Sequence, residues 1–277
     1  MRLRRGHAVA AGAVALAGLG WGAFEAGWVR LRVLELPIPG LPEELDGLRI
    51  AHLSDFHLGV PSTGRYAVER AVDWVAGRDP DLVCVTGDLV SRPRGTPLLE
   101  RLLARLGSPL VVLGNHDHAL SRDPFSRPVA LESVGSGRLL QDESIEIVER
   151  GCRIEVAGVD PRSWRARRGS GFGPSDAPFR LLLCHFPRAL DFAAPGRWNL
   201  ILSGHLHAGQ IVLPYGGGRL MLAHPRARYA HGVYRRGPTT MHVSPGLGTT
   251  FVPVRYFARP EATELVLRYG GPWKATA

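Results

Sequence analysis

Leu48-Arg49-Ile50-Ala51-His52-Leu53-Ser54-Asp55-Phe56-His57 is the stretch whose reading decides the fold. An apolar run of strand length breaks at once into an acid and an imidazole. Residues 65–78 follow, with Val68, Ala71, Val72 and Val75 at helical spacing. The next apolar run, Leu82–Thr86, ends in Gly87-Asp88. A helix is then predicted over 97–106, with Thr96 as its cap, Pro97 in its first turn and Gly107 past its end. A third strand, 110–113, ends in Gly114-Asn115-His116-Asp117. Strand, helix and strand in alternation predict an α/β fold with parallel pairing.

Downstream of Gly151 the helical signal thins. Strands are predicted at 153–157, Phe179–Cys184, 200–202, 209–213, 241–243 and 264–267, which fits a mixed second sheet better than further strand–helix–strand repeats. Two of these runs also end in metal-competent residues: His185 follows the second, and Ser203-Gly204-His205-Leu206-His207 follows the third. In open α/β sheets the carboxyl ends of strands line the binding crevice, so residues distant in sequence can converge there.

The residue types fit two-metal chemistry. Paired divalent cations about 3.5–4 Å apart clamp the attacking and leaving oxygens of a phosphoryl displacement. A shared carboxylate would set their spacing. Neutral imidazole and amide oxygen complete the shells without negative charge that would repel a phosphate. The glycines before Asp88, Asn115 and His205 are expected to let the backbone turn sharply and bring a bulky ligand close. Each piece alone is weak: a strand-end Asp is often only a helix cap, and a single His is more often a satisfied structural group. His205 and His207 are stronger, because alternate residues of an extended segment face one side. The ordered conjunction carries the argument.

Composition narrows the classes. With 277 residues and 45% apolar content the chain can form one large core. Neither a solenoid period nor a CxxC pair is present, and the three cysteines form no disulfide framework. The net charge of +9 suits an anionic partner, but Lys occurs once, at Lys274. The Arg excess therefore reads mainly as a compositional habit.

The first 32 residues read as a signal anchor or an export signal. Arg2, Arg4 and Arg5 precede 8–24, an uncharged run rich in Ala and Gly that Glu25 interrupts. A bilayer span needs about 20 apolar residues, so this run barely qualifies. Ala15-Leu16-Ala17 offers a cleavage pattern, and a core helix of a soluble domain is the plainer alternative. The arginines favour a cytoplasmic N-terminus and an external catalytic domain. Residues 33–47, with Pro37, Pro39 and Pro42, read as a linker or entry strand, and 48–270 as the catalytic domain.

At these motifs the chain resembles the calcineurin-like metallophosphoesterases, over roughly 48–267. The resemblance implies a four-layer αββα sandwich of two mixed β-sheets. It implies one ion on Asp55, His57, Asp88 and His207 and another on Asp88, Asn115, His185 and His205, with Asp88 bridging. A metal-bridging hydroxide would attack phosphorus in line, with His116 over the leaving oxygen and Asp117 orienting His116. The ions would be Mn²⁺, Fe²⁺/Fe³⁺, Zn²⁺ or Mg²⁺.

A narrower resemblance, to bacterial membrane-associated YaeI/YkuE-type phosphodiesterases, rests on the apolar N-terminus, on 203–210 and on 246–255 leading to Arg259. It implies membrane contact and a lipid-linked phosphoester such as UDP-2,3-diacylglucosamine. Ala208 stands where that group usually carries Gly, and Ser244-Pro245 where Arg is common. Arg162, Arg165, Arg167 and Arg168 around Trp164 are candidate substrate contacts, against the plainer reading of a solvated loop. The expected activity is phosphodiester or pyrophosphate hydrolysis. A phosphomonoesterase or nuclease with the same site is the alternative, a non-catalytic metal-binding module the alternative of another class. Nucleic acid is not an expected partner.

Overall fold

The structure, a computed structural model, describes residues 2–118, 120, 123–127, 129, 131, 133–164, 172–216 and 218–270. The elements that frame the molecule are two six-stranded mixed sheets. Strands β1 (Arg30–Pro37), β2 (Arg49–Leu53), β3 (Leu82–Thr86), β4 (Leu110–Val112) and β5 (Arg138–Leu139) belong to the first sheet. So does the last strand, β14 (Glu261–Arg268), which runs between β1 and β2. Neighbours β2, β3, β4 and β5 are parallel, as the alternation predicts, and β14 is antiparallel to β2.

The second sheet is built from β6 (Glu143–Glu149), β7 (Cys152–Val159), β8 (Phe179–Cys184), β9 (Leu200–Ser203), β12 (Gly232–Arg236) and β13 (Thr239–Val243). Its inner strands are parallel and its two edge strands antiparallel to their neighbours. A separate hairpin, β10 (Val212–Tyr215) with β11 (Gly218–Met221), stands outside both sheets.

Period-2 alternation assigns the faces. Ile50, Cys84 and Val112 from the first sheet meet Val156, Leu181, Leu183 and Leu202 from the second in one buried layer. Ala51, Leu53 and Val85 point the other way, against α2 (Gly64–Ala76) and α3 (Thr96–Ala104). The far side of the second sheet buries Leu182, Ile201 and Met241 under Trp198, Leu190 and Tyr229. Among the described residues the short helix Ala189–Phe192 and loops, with Trp164, cover that face. The two sheets also share a polar tie: His52 Nδ1 on β2 lies 2.8 Å from His242 Nδ1 on β13, both buried.

Three expectations shift. Helix α3 begins at Thr96 with Gly95 at its cap and no side-chain cap bond, so Thr96 is a first-turn residue rather than the cap. Strand β1 begins at Arg30, inside the segment assigned to an anchor, because pairing with β14 satisfies its backbone. The 8–24 run lies in α1 (Arg2–Gly27), yet among the described residues no helix is long and apolar enough to cross a membrane. The C-terminal part of α1 instead packs on the domain, with Ala26 and Glu25 buried; Glu25 Oε1 accepts the Ala258 N–H at 2.8 Å.

Candidate metal centre

The strand ends converge where the two sheets meet. The loops after β2, β3, β4, β8 and β9 carry Asp55 and His57, Asp88, Asn115 and His116, His185, and His205 and His207. Close loop packing explains two of the glycines: a Cβ at Gly114 would lie 2.0 Å from Asp88 Oδ1, and one at Gly204 would lie 2.0 Å from Ser54 Oγ. These glycines admit a neighbouring loop rather than a ligand. Asp55, His57, Asp88, His205 and His207 all have left-handed backbones, with φ between 47° and 79°. That conformation costs about 1–2 kcal/mol per non-glycine residue, and such strain concentrates at functional sites.

The donor atoms form two clusters around Asp88. His57 Nε2 is 3.0 Å from His207 Nε2, which is 3.4 Å from Asp55 Oδ1. Asp88 Oδ2 is 3.5 Å from His57 Nε2 and 3.2 Å from His185 Nε2, and the latter is 3.2 Å from His205 Nδ1. Asp55–His57–His207 and Asp88–His185–His205 each gather their ligand atoms within 4.8 Å, as metal sites do; so does His57–Asp88–His116. Asn115 Oδ1 is buried and has no hydrogen-bond partner. Such an orphan costs about 1–3 kcal/mol unless something binds it.

The protonation states suit cations. Burial pushes His57 down to about 3, with His116 adding to the effect, and His205 down to about 3, with His185 adding. Burial likewise holds His207 well below its ordinary value. These rings are neutral and able to ligate. Burial opposes charge on His185, yet Asp88 beside it, with help from Asp55, raises it to about 9. Burial would raise Asp88, but His185 and His116 hold it well below the usual carboxylate range. Burial pushes Asp55 up to about 6. Positive charge is thus favoured between the two acids, and the imidazole, carboxylate and amide set suits divalent ions.

The surrounding contacts aim the rings. His185 Nδ1 donates to the Thr86 carbonyl at 2.7 Å, leaving Nε2 inward. His57 Nδ1 pairs with Ser91 Oγ at 2.9 Å, and Arg255 Nη2 lies 3.1 Å from His207 Nδ1. Asp117 does not take the role the resemblance implied. Its carboxylate accepts the backbone N–H groups of Leu89, Val90 and Gly114 at 2.8–2.9 Å, tying two loops together. His116 Nδ1 instead meets Ser126 Oγ at 2.6 Å. Ser126, Ser91 and Thr86 carried no sequence signal, since each lies in a loop or strand end without a recognisable pattern. Arg255 stood inside the quoted 246–255 motif but without a role.

Of the candidate arginines, Arg165, Arg167 and Arg168 lie outside the described residues. Arg162 is held by Asp160 at 2.8 Å, so its charge is already partnered. Trp164 stacks on Phe186 with ring centroids 5.3 Å apart. Together with Arg188, Arg226, Arg228 and Tyr229 they line a cavity of about 850 Å³ beside His205. A second cavity, of about 460 Å³ beside His207, is lined by Ile211, Leu222, Phe251 and Val252.

The family model for calcineurin-like phosphoesterases matches residues 48–209. A zebrafish (Danio rerio) protein named transmembrane protein with metallophosphoesterase domain is 36% identical over 257 residues, covering 85% of this chain and 56% of that protein. Its cattle (Bos taurus) counterpart is 34% identical, again with 85% and 56% coverage. A Bacillus subtilis (strain 168) protein named uncharacterized metallophosphoesterase YkuE is 31% identical over 239 residues, covering 82% of each chain. The chain thus spans just over half the length of the two vertebrate relatives.

Proposed function

The chain belongs to the calcineurin-like phosphoesterases, metal-dependent hydrolases of phosphoric esters, and we propose that it cleaves a phosphodiester or pyrophosphate bond in an amphiphilic substrate at a membrane surface. The observation that carries this reading is Asp88 standing between the Asp55–His57–His207 group and the His185–His205 pair, within 3.2–3.5 Å of each side. Asp55, His57, Asp88 and His207 would hold one ion; Asp88, Asn115, His185 and His205 would hold the other. Divalent cations held there would supply positive charge to the transition state and lower the pKa of a water molecule.

The chain's own groups then divide the remaining work. The ligand carboxylates and imidazoles set where the phosphoryl oxygens sit. His116 Nε2, 4.0 Å from Asp88 Oδ2, faces the same centre and would steady or protonate the leaving oxygen. Ser126 holds the opposite ring nitrogen. Asp117 keeps the loops that carry Asp88 and Asn115 in register.

The two cavities support an amphiphile. Beside His205, Trp164, Phe186 and Tyr229 offer stacking faces and Arg226 and Arg228 offer charge for an anionic, ring-bearing head. Beside His207, Phe251 and Val252 offer an apolar wall for a hydrocarbon tail. A lipid-linked nucleotide such as UDP-2,3-diacylglucosamine combines both features. The outward apolar residues of α1, Val14, Leu16, Leu19, Trp21 and Phe24, would supply the membrane contact.

The test uses the full chain loaded with Mn²⁺. Cleavage of bis-p-nitrophenyl phosphate faster than the monoester, and of UDP-2,3-diacylglucosamine in mixed micelles, is expected. Metal-loaded protein inert toward every phosphorylated compound would refute the reading; a monoester preference would overturn the diesterase assignment.

A further inference from the structure

Arg255 is a buried cation that, among the described residues, no carboxylate contacts within hydrogen-bond distance. Its guanidinium reaches four other places. Nε and Nη2 donate to the Gly248 carbonyl at 3.0 and 2.7 Å, and Nη1 donates to the Pro245 and Ala258 carbonyls at 3.0 and 2.8 Å. The same guanidinium grips His207, with Nη2 3.1 Å from ring Nδ1 and Nη1 3.4 Å from the His207 carbonyl. Of the five donors a guanidinium carries, four meet the carbonyls of Gly248, Pro245 and Ala258. Burying such a charge without a counter-ion is costly, so the contacts must serve something besides charge pairing.

What they organise is one half of the centre. His207 is gripped directly. Residues 245–248 wrap the other acid of that half: the Leu247 N–H bonds the Ser54 carbonyl at 3.0 Å, the Gly248 N–H bonds the Asp55 carbonyl at 2.6 Å, and a Cβ at Gly246 would fall 2.7 Å from that of Asp55. No bond of Arg255 reaches Asp88, His185 or His205.

The backbone of the same residue is held by α1. The Arg255 N–H bonds the Gly22 carbonyl at 3.0 Å. Just beyond it, Tyr256 Oη donates to the Gly18 carbonyl at 2.8 Å and the Ala258 N–H to Glu25 Oε1 at 2.8 Å. Arg259 stacks on Trp28, 3.6 Å from the ring centroid. The helix therefore clasps residues 255–259 on one side, while the Arg255 side chain passes to the metal-facing imidazole on the other.

We infer that Arg255 is a positioning residue for the Asp55–His57–His207 half of the centre, and that the seating of α1 on residues 255–259 is transmitted to that half through it. The N-terminal helix is then part of the frame of the site as well as a membrane contact. The inference rests on the two-metal reading of the site.

Co²⁺ titration of the full chain, followed by visible absorption, tests it without reference to turnover. Wild type is expected to bind two ions with distinguishable spectra. In Arg255→Met one ion should be lost while the other keeps its affinity and spectrum. Arg255→Lys, which keeps the charge but not the fork, should retain both ions with one weakened about 10–100-fold, the range for residues that orient metal ligands. Glu25→Ala, which leaves Arg255 in place and loosens the clasp, should weaken that same ion. Should Arg255→Met show no cooperative unfolding transition, Arg255→Lys and Glu25→Ala decide. Two ions bound with wild-type affinity in the variants, or equal loss of both, would overturn the inference alone. A wild-type chain that binds no ion would overturn the two-metal reading with it.

Discussion

Ser126 Oγ lies 2.6 Å from His116 Nδ1, and Asp123 Oδ2 lies 3.8 Å from the same nitrogen. The loop bearing Ser126 thus fixes the ring that faces the centre, a task the resemblance gave to Asp117. His116→Ala should lower kcat about 10²–10⁴-fold, the usual worth of a general acid or base. Ser126→Ala should lower kcat about tenfold with KM little changed, because the ring loses its aim but keeps its chemistry. Steady-state kinetics on a chromogenic diester checks both; an unchanged kcat in Ser126→Ala would remove the positioning role.

Asn115 Oδ1 is buried and unbonded, so the ion-free chain gains nothing from it. Asn115→Ala should leave stability in chelator unchanged or raise it by up to about 1–3 kcal/mol, the cost of the orphaned oxygen that it removes. The stabilisation on adding Mn²⁺, about 4 kcal/mol at a thousandfold excess over Kd, should shrink sharply in the variant. Calorimetry with and without chelator separates the two. Equal Mn²⁺ stabilisation in both proteins would exclude Asn115 as a ligand.

Asp88 stands within reach of both halves, so its loss should be felt by both ions. Asp88→Asn keeps the shape and removes the charge that would offset two dications. Metal content should fall, and Mn²⁺-stimulated diester cleavage should drop by more than about 100-fold, beyond the cost of losing a residue that only orients a ligand. Elemental analysis alongside rates gives the measurement; full metal content with full activity would contradict the bridging role.

Glu264 on β14 accepts two guanidinium forks: Arg49 at 3.2 and 2.9 Å and Arg78 at 2.8 and 2.7 Å. The Arg78 hydrogen bonds, with those of Arg49, pull its carboxyl down to about 2 from 4.5. A depressed folded-state value means stability that is fully present above about pH 4.5 and lost as pH falls toward 2. Because solvent screens the partly exposed arginines, the contribution is at most on the order of 3 kcal/mol. Glu264→Gln should remove a comparable amount at pH 7 and flatten the acid limb of a denaturant-unfolding series over that window. An acid limb identical to wild type would show the forks to be energetically idle.

Much of this protein was legible from local pattern. The short apolar runs ending in Asp55, Asp88, Asn115, His185 and His205 placed β2, β3, β4, β8 and β9 and put chemistry at their carboxyl ends, because a continuous apolar run closed by polar and glycine residues is written into a few consecutive positions. Strands β1, β6 and β12 were missed or misplaced, since each lies at or beside a sheet edge where half-exposed residues blur the alternation. What only the tertiary structure decided is which distant groups meet. Ser126 takes over the orientation of His116, Glu25 seats Ala258, and Arg255 joins α1 to His207. These are bonds made through space by single side chains. No periodicity announces them, because their partners are chosen by how the two sheets and their loops close on one another.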